Sequence, residues 1–550
     1  MGKSRKTAHR PKQQAEAAKR TNGKYYAYAL LLLVLVFFAA IRFRLRTMPL
    51  ERDEGEYAYS GQLMLQGIPP YKLAYTMKLP GTEAAYAAIM AVFGQTPAGI
   101  HLGLILVNAA TIVLIYLLAA RLSGRMGGVV AAASYAALST SFSVLGVPAH
   151  ASHFVVFFAV AGILVLLKAM KTGRLWQLFA SGFLLGLAFL MKQPGIAFGV
   201  FGGLYLLRCE WKRPIEWKSL LSKLGCYGAG VVLPFVLTCL VLLAAGVFRN
   251  FWFWVFTYAG QYTSENSPAL GLAAFIQTFP AVVGPAVWVW LLAGVGLTAL
   301  WWHPESRRHA TVIGGLLFFS FLAVCPGFFF REHYFILMLP AVALLAGIAV
   351  HATTEELSGK GGMALAAIPA LVFSAALGYA VFEQRAFLLE KDPVVVCEER
   401  YSTNPFPEAV VVAQYLDEHT AADEPVAVLG SEPEIYFYAK RHSATGFIYV
   451  YGLMEKQKYS LEMQKKMIGE VDSARPQYLV IVKNRLSWLS KEGSPEALSM
   501  AAWIQSLLGG YELVGIAERV GKHTEYRWDD EARAYRPHSQ NIVGVFKRKS

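Results

Sequence analysis

Residues 52–80 read RDEGEYAYSGQLMLQGIPPYKLAYTMKLP and stand between two long apolar runs. Of the 550 residues, 55% are hydrophobic and only 16% are charged, whereas soluble domains carry about a quarter charged residues. The chain reads as an integral membrane protein, so the carboxylates, tyrosines and lysines of residues 52–80 are concentrated in a connection between spans. Windows of about 20 apolar residues, the length a bilayer-spanning helix needs, fall near 25–44, 98–120, 126–144, 152–170, 176–192, 194–208, 224–246, 277–300, 311–328, 334–351 and 362–382. About eleven spanning helices are expected, with a short pair on either side of Lys192.

The formal charge of +14 does not point to nucleic acid, because the basic residues gather in short segments beside apolar runs. The first run, from Tyr25 to Ala40, follows a basic head (1–24) and leads into IRFRLRT without a small-residue cleavage site, so it reads as a retained helix. The head, RLSGR (121–125), KAMKTGR (168–174), RCEWKRPIEWKSLLSK (208–223) and HPESRRH (303–309) form the basic, cytoplasmic set. Residues 52–97, 247–276, 329–333 and everything after 383 then lie on the outer side. The expected organisation is a cytoplasmic N-terminus at 1–24, a transmembrane domain at 25–382 with juxtamembrane helices at 52–97, and an extracytoplasmic α/β domain at 383–550. Cys209, Cys226 and Cys239 fall in or beside apolar runs and read as packing residues, while Cys325 and Cys397 share the outer side, which leaves a pairing open.

After residue 383 the composition becomes that of a soluble domain. PEAVVVAQYLDEHT reads as a helix with Pro407 in its first turn, PVAVLG (425–430) and QYLVIV (477–482) as buried strands, and 455–474 as an amphipathic helix. SPEALSMAAWIQSLLGG reads as a helix with Ser494 as N-cap, Pro495 in the first turn and Gly509 and Gly510 as the stop. Alternating strands and helices predict a small α/β layer domain.

Within the opening stretch, Asp53 followed three residues later by Glu56 has the form of a capping box, and GQLMLQG ends at Gly67 before Pro69 and Pro70. One reading of Asp53 is therefore a helix cap. The other is chemical: a connection of about 50 residues is long for a link between spans, and long ordered loops are usually functional. Lys78, followed by Leu79 and Pro80 in a neutral stretch, needs water or an anion.

The pattern D-E-G-x-Y-x-Y, then G-x-P-P-Y, then Lys-x-Pro resembles the first outer loop of the polyprenyl-phosphate-sugar-dependent glycosyltransferases of the GT-C class. These include the bacterial aminoarabinose transferase of lipid A and the protein O-mannosyltransferases. The resemblance continues through GVPAHASHF, MKQPG, FWFWVFTYAGQY, REHYFILMLPAVALLAG, VLGSEPEIYFYAKRHSATGFIY and RPQYLVIV. It implies a GT-C fold and an inverting transfer on the outer membrane face, in which a sugar leaves a lipid phosphate and is attacked by an acceptor hydroxyl. Asp53 matches the catalytic carboxylate that accepts the hydroxyl proton, and Lys78 the lysine near the lipid phosphate. A short helix lying along the membrane surface, with Tyr59 and Leu63 on one side, would bring base and cation to opposite sides of one reacting carbon.

Other residues have two readings each. Arg331, His333 and Tyr334 in REHYFILMLP are interfacial anchors or, as the family pattern favours for Arg331 and His333, holders of the donor phosphate. Lys192 snorkels to the surface or faces the phosphate. Tyr258, Gln261 and Tyr262 belong to an interfacial aromatic belt or meet sugar and prenyl chain. His150 and His153 share a helix face and read as satisfied polar residues at a helix mouth. Many relatives have an acid near the position of His153, and its replacement here weakens any carry-over of metal binding or acceptor activation. Asp53, Glu54 and His153 are the combination that would have to converge for a divalent cation, and no metal or other cofactor is required. Glu54, Glu56, Tyr57, His153, Tyr258, Tyr262 and Tyr334 are the candidates for substrate and acceptor contacts. Glu432, Glu434, Tyr436 and Arg441 are scaffold or acceptor-facing.

The expected partners are a polyprenyl-phosphate-linked sugar, membrane lipid and a lipid, glycan or protein acceptor, at the inner (plasma) membrane and without nucleic acid. A transporter or flippase of a lipid-linked or anionic solute is the rival, and it would need ionisable residues through the helix centres or related halves; neither is visible. An inactive binding protein is the third reading, opposed by Asp53 and Lys78.

Overall fold

The computed structural model describes residues 9–211, 216–264, 266–521 and 523–549. Residues 1–8 of the basic head and 212–215 of the basic connection at 208–223 lie outside the described residues. Helices α1 (His9–Arg44), α2 (Arg52–Leu65), α3 (Gly81–Phe93), α4 (Pro97–Thr140), α5 (Ala151–Thr172), α6 (Leu175–Met191), α7 (Ile196–Trp211) and α8 (Trp217–Ala244) open the chain.

Among the described residues, seven helices are long and apolar enough to cross a membrane: Lys24–Arg44, Pro97–Thr140, Ala151–Thr172, Trp217–Ala244, Pro268–Trp302, Glu332–Lys360 and Ala364–Glu383. This is a multi-pass membrane protein. The remaining apolar windows have physical counterparts. Helix α4 is 44 residues long and breaks at Ser123 and Gly124, inside RLSGR, where Gly124 takes the left-handed φ of 68° that glycine adopts without a Cβ clash; it therefore carries two windows. Helices α6, α7 and Ala310–Val324, of 17, 16 and 15 residues, carry the other three.

The arginines of IRFRLRT brace the end of the first span. Arg42 donates to the carbonyls of Ser139 and Gly146 at 2.6 and 2.8 Å, and Arg44 to those of Phe387, Leu388 and Lys391. A guanidinium has five donors in a fixed fork, so each arginine satisfies carbonyls at chain reversals that lack a helical partner.

Helix α2 does not start as expected. Its N-cap is Glu51, whose side chain accepts from the Glu54 amide at 3.0 Å while Glu54 accepts from the Glu51 amide at 3.4 Å. The capping box is thus two residues earlier than the one read from Asp53 and Glu56, and Asp53 is released from capping into the first helical turn. Nor does α2 lie on an open membrane surface. Tyr59 and Leu63 are buried, the Tyr59 hydroxyl accepts from the Ser443 amide at 2.8 Å, and its ring packs on Tyr436 at 5.2 Å. The absence of a side chain at Gly55 admits the helix Glu434–Ala439, because a Cβ there would lie 2.6 Å from the Glu434 nitrogen.

Beyond Glu383 the helix Phe406–His419 precedes a five-stranded sheet of β1 (Val426–Leu429), β2 (Tyr478–Lys483), β3 (Tyr511–Val520), β4 (His523–Trp528) and β5 (Ile542–Arg548), in the order β1-β2-β5-β3-β4. Only β1 and β2 run parallel; the other three pairings are antiparallel. The two predicted strands are the parallel pair, buried along most of their length, which is why they read as continuous apolar runs. The helix Pro495–Leu508 begins with Ser494 accepting from the Ala497 amide and ends at Gly509, as its residues indicate. The amphipathic segment is shorter than expected, Ser460–Ala474. All five cysteines are free, including Cys325 and Cys397; Cys397 is buried in the apolar core, and Cys325 bonds the Phe321 carbonyl one helical turn back.

Candidate active site

The first turn of α2 directs its acids to different places. Asp53, Glu56 and Tyr57 share one face through their spacing of three and four residues, and all three line a cavity of about 220 Å³. Glu54 points the other way, where it is fully buried and accepts from the Ala149 amide at 2.6 Å and from His101 Nε2 at 3.0 Å.

Lys78 is brought to this face by a pinned loop. Tyr71 donates to its carbonyl at 2.8 Å, its amide bonds Thr76, and Gln193 holds the Met77 carbonyl at 2.7 Å. The Lys78 ammonium then lies 2.8 Å from Asp53 Oδ1, 2.7 Å from Glu56 Oε2 and 4.2 Å from the centre of the Tyr57 ring. Base and cation are in direct contact, not spaced on two sides of a gap. Burial pushes the Asp53 carboxyl up, but the charge of Lys78, with that of His333, outweighs it and holds the group well below its ordinary range. Burial pushes Lys78 down, and Asp53 and Glu56 together raise it well above the ordinary lysine value.

The other walls come from three further regions. A short 3₁₀ segment, Glu332–Met338, presents His333 and Tyr334 just after Arg331. His333 Nε2 is 3.9 Å from Asp53 Oδ2, and its ring stacks on His150 at 4.3 Å and 11°. Arg331 donates to the Tyr262 hydroxyl at 3.3 Å, and Tyr262 stacks on Phe329 at 4.6 Å. Lys192 sits 4.1 Å over the Tyr334 ring. Tyr258 closes a π-helical turn, Phe253–Tyr258, a wider helical form common at functional sites, and bonds Glu455 at 3.3 Å.

The structure therefore gathers Asp53, Glu56, Tyr57, Lys78, Lys192, Tyr258, Tyr262, Arg331, His333 and Tyr334 around one cavity. Glu54 and His153 are not part of its wall. His150 is not a fully satisfied polar residue: its Nε2 is buried without a hydrogen-bond partner, and burial takes it down to about 4, which keeps it neutral. The candidate ligands that converge are Asp53, His150 and His333, with donor atoms within 4.8 Å of one another; these three could hold a cation. Of the C-terminal-domain residues, Glu432 pairs with Arg52 at 2.7 Å, Tyr436 supports the Val428 amide, and Arg441 holds the carbonyls of Asp417, Thr420 and Ala439. Both Glu434 oxygens are buried without a partner.

Sequence reasoning missed the cover. Phe447, Tyr449, Tyr451 and Glu455 from the segment FIYVYGLMEK close the cavity from the C-terminal domain. Their only signal is three tyrosine and phenylalanine rings in a short irregular stretch after Gly446.

Comparison with known proteins identifies the fold. The sequence model of the family described as dolichyl-phosphate-mannose-protein mannosyltransferase matches residues 78–242. ArnT from Cupriavidus metallidurans, solved bound to undecaprenyl phosphate, superposes with a TM-score of 0.57 at 16% identity, over 94% of this chain and 97% of that one. The chain has the GT-C fold. The archaeal oligosaccharyltransferase AglB from Archaeoglobus fulgidus, in complex with an inhibitory peptide and a dolichol-phosphate, shares this GT-C architecture with a TM-score of 0.52 at 13% identity, over 92% of this chain and 75% of that one. No curated protein sequence matches. The resemblance to GT-C polyprenyl-phosphate-dependent glycosyltransferases thus extends from the quoted motifs to the whole fold.

Proposed function

We propose that the protein is an inverting glycosyltransferase that moves a monosaccharide from a polyprenyl-phosphate carrier to an acceptor hydroxyl, on a lipid, a polysaccharide or a protein. The observation that carries this reading is the Asp53 and Lys78 contact at 2.8 Å in the wall of a cavity that Arg331 and Lys192 also line. Its apolar residues, among them Met191, Pro194, Ala323 and Phe329, suit the first prenyl units, and its tyrosines suit a sugar ring. The orientation that follows is a cytoplasmic N-terminus and an extracytoplasmic C-terminal domain, at the inner (plasma) membrane.

With Lys78 against it, Asp53 is a weak base. A donor phosphate competing for Lys78 draws that charge away, and burial then raises the Asp53 pKa toward a value suited to proton transfer. The acceptor oxygen attacks the anomeric carbon as its proton passes to Asp53. The bond from that carbon to the phosphate oxygen breaks, and Lys78, with Arg331, meets the charge developing on the leaving phosphate. No resident cofactor is assigned a step, and dialysis against EDTA is expected to leave the rate unchanged.

Purified protein incubated with labelled polyprenyl-phosphate sugars is expected to turn the donor over. The Asp53→Asn variant should lose about 10²- to 10⁴-fold of that rate while still folding, with Lys78 left paired to Glu56. Near-normal turnover in this variant removes Asp53 as the base, and movement of intact donor across vesicles without cleavage replaces the transferase by a transporter.

A further inference from the structure

A second cluster of ligand-type side chains lies at the other end of the bundle. Helix α4 runs from beside the outer loop to its break at Gly124 and back to Ser139, which Arg42 holds; a Cβ on Gly124 would lie 3.9 Å from His351 Cε1. Close to this break, the span Pro268–Trp302 ends and the short helix Pro304–Arg308 begins. His303 and Glu305 come from that junction, and His351 and Glu355 from one face of the long helix Leu339–Glu383, four residues apart.

His351 Nε2 is 3.3 Å from Glu305 Oε2 and 3.6 Å from Glu355 Oε1, and the three donor atoms lie within 4.8 Å of one another. We propose that Glu305, His351 and Glu355 bind a divalent transition-metal ion of the zinc class. One ring nitrogen faces two carboxylates, and as an N–H it can donate to only one. Both separations exceed the roughly 2.7–2.9 Å of a charge-assisted hydrogen bond. Ligands of a tetrahedral ion with bonds of about 2.1 Å stand about 3.4 Å apart, between the two observed values. Imidazole with carboxylate suits zinc and its neighbours better than magnesium or calcium, which prefer oxygen alone.

His303 supplies the support that such sites need. It is buried, and its Nδ1 accepts from the Ser306 amide at 3.3 Å, so the ring proton is on Nε2. Nε2 then donates to Glu355 Oε2 at 2.9 Å, which leaves Oε1 turned toward His351. A partner of this kind orients a carboxylate ligand. Glu305 and Glu355 are about half exposed, at 47% and 52%, so water can take the fourth position. The bound ion joins the end of one span to the next, remote from Asp53.

The test uses the full-length protein in an Asp53→Asn background, so that the group in the cavity does not contribute. After loading with zinc chloride and exhaustive dialysis, metal analysis is expected to show about one equivalent more than in the same protein carrying His351→Gln and Glu355→Gln. Zinc should also raise the melting temperature of the parent and not of that variant. Equal zinc in both proteins overturns the proposal and leaves a hydrogen-bonded staple. Should the variant fail to fold, cobalt(II) titration of the parent decides: intense visible bands of a tetrahedral ion are expected, and their absence overturns the site.

Discussion

Helix α2 carries ion pairs on two faces, and they are built differently. Toward the C-terminal domain, Arg52 donates to the Ser431 carbonyl, to Asn404 at 3.0 Å and to Glu432 at 2.7 Å, while Glu432 also accepts from Ser487 at 2.6 Å. The pair is buried, and several donors are committed. Toward the cavity, one ammonium is shared by Asp53 and Glu56, and the side chains of Lys78 and Asp53 remain 21% and 18% exposed. A flexible point charge between two carboxylates can change partners, whereas a guanidinium in a filled fork cannot do so without leaving donors unpaired. The first face is a lock and the second is poised for exchange.

The variants with the largest effects separate the two faces. Asp53→Asn should abolish most turnover with the fold retained, since Lys78 keeps Glu56 as a partner, whereas Arg52→Ala should leave Glu432 buried without its cation and lower stability by about 3–5 kcal/mol, read as a loss of melting temperature. A mild stability effect of Arg52→Ala would show that the lock carries little of the docking of the C-terminal domain.

Lys78→Gln sharpens the comparison through pH. The variant should lose about 10²- to 10³-fold in kcat, the scale of removing one charge-stabilising donor. Because Lys78 holds Asp53 low in the free protein against the upward push of burial, its removal must raise the Asp53 pKa there, so the acid limb of the kcat/KM profile moves to higher pH. An unmoved limb would mean that Asp53 does not set it. In the parent, Asp53 has a folded-state pKa below its unfolded value. Its contribution to stability is therefore present above about pH 4 and is lost as the pH falls through the lower folded-state value, which acid titration of the fold would register.

Smaller effects probe how α2 is held. Gly55→Ala should cost about 1–3 kcal/mol, because the new methyl meets Glu434 backbone at 2.6 Å. Glu51→Ala should cost about 1 kcal/mol as a lost N-cap. A null result for Glu51→Ala in thermal unfolding would favour a helix that can restart at Asp53.

Helical spans, the helix at Pro495–Leu508 and the strands Val426–Leu429 and Tyr478–Lys483 were legible because each is written in local terms: an apolar run, a cap three residues from its amide, a stop at glycine. The loop with Asp53 and Lys78 stood out by composition alone. What local patterns cannot carry is phase and distance. Moving the cap from Asp53 to Glu51 turns the acids of DEGE to different faces, and that choice rests on contacts of Glu54 with Ala149 and His101. The stacking of His150 on His333, the tyrosine cover from the C-terminal domain and the antiparallel pairing of β5 with β2 join residues far apart in the chain. By itself the sequence determined a helical membrane protein with a chemically loaded loop after its first span, since burial in lipid and helix capping act over a turn or a span. Tertiary structure decided which carboxylate meets the lysine and what closes over them, because those contacts form only when distant segments pack together.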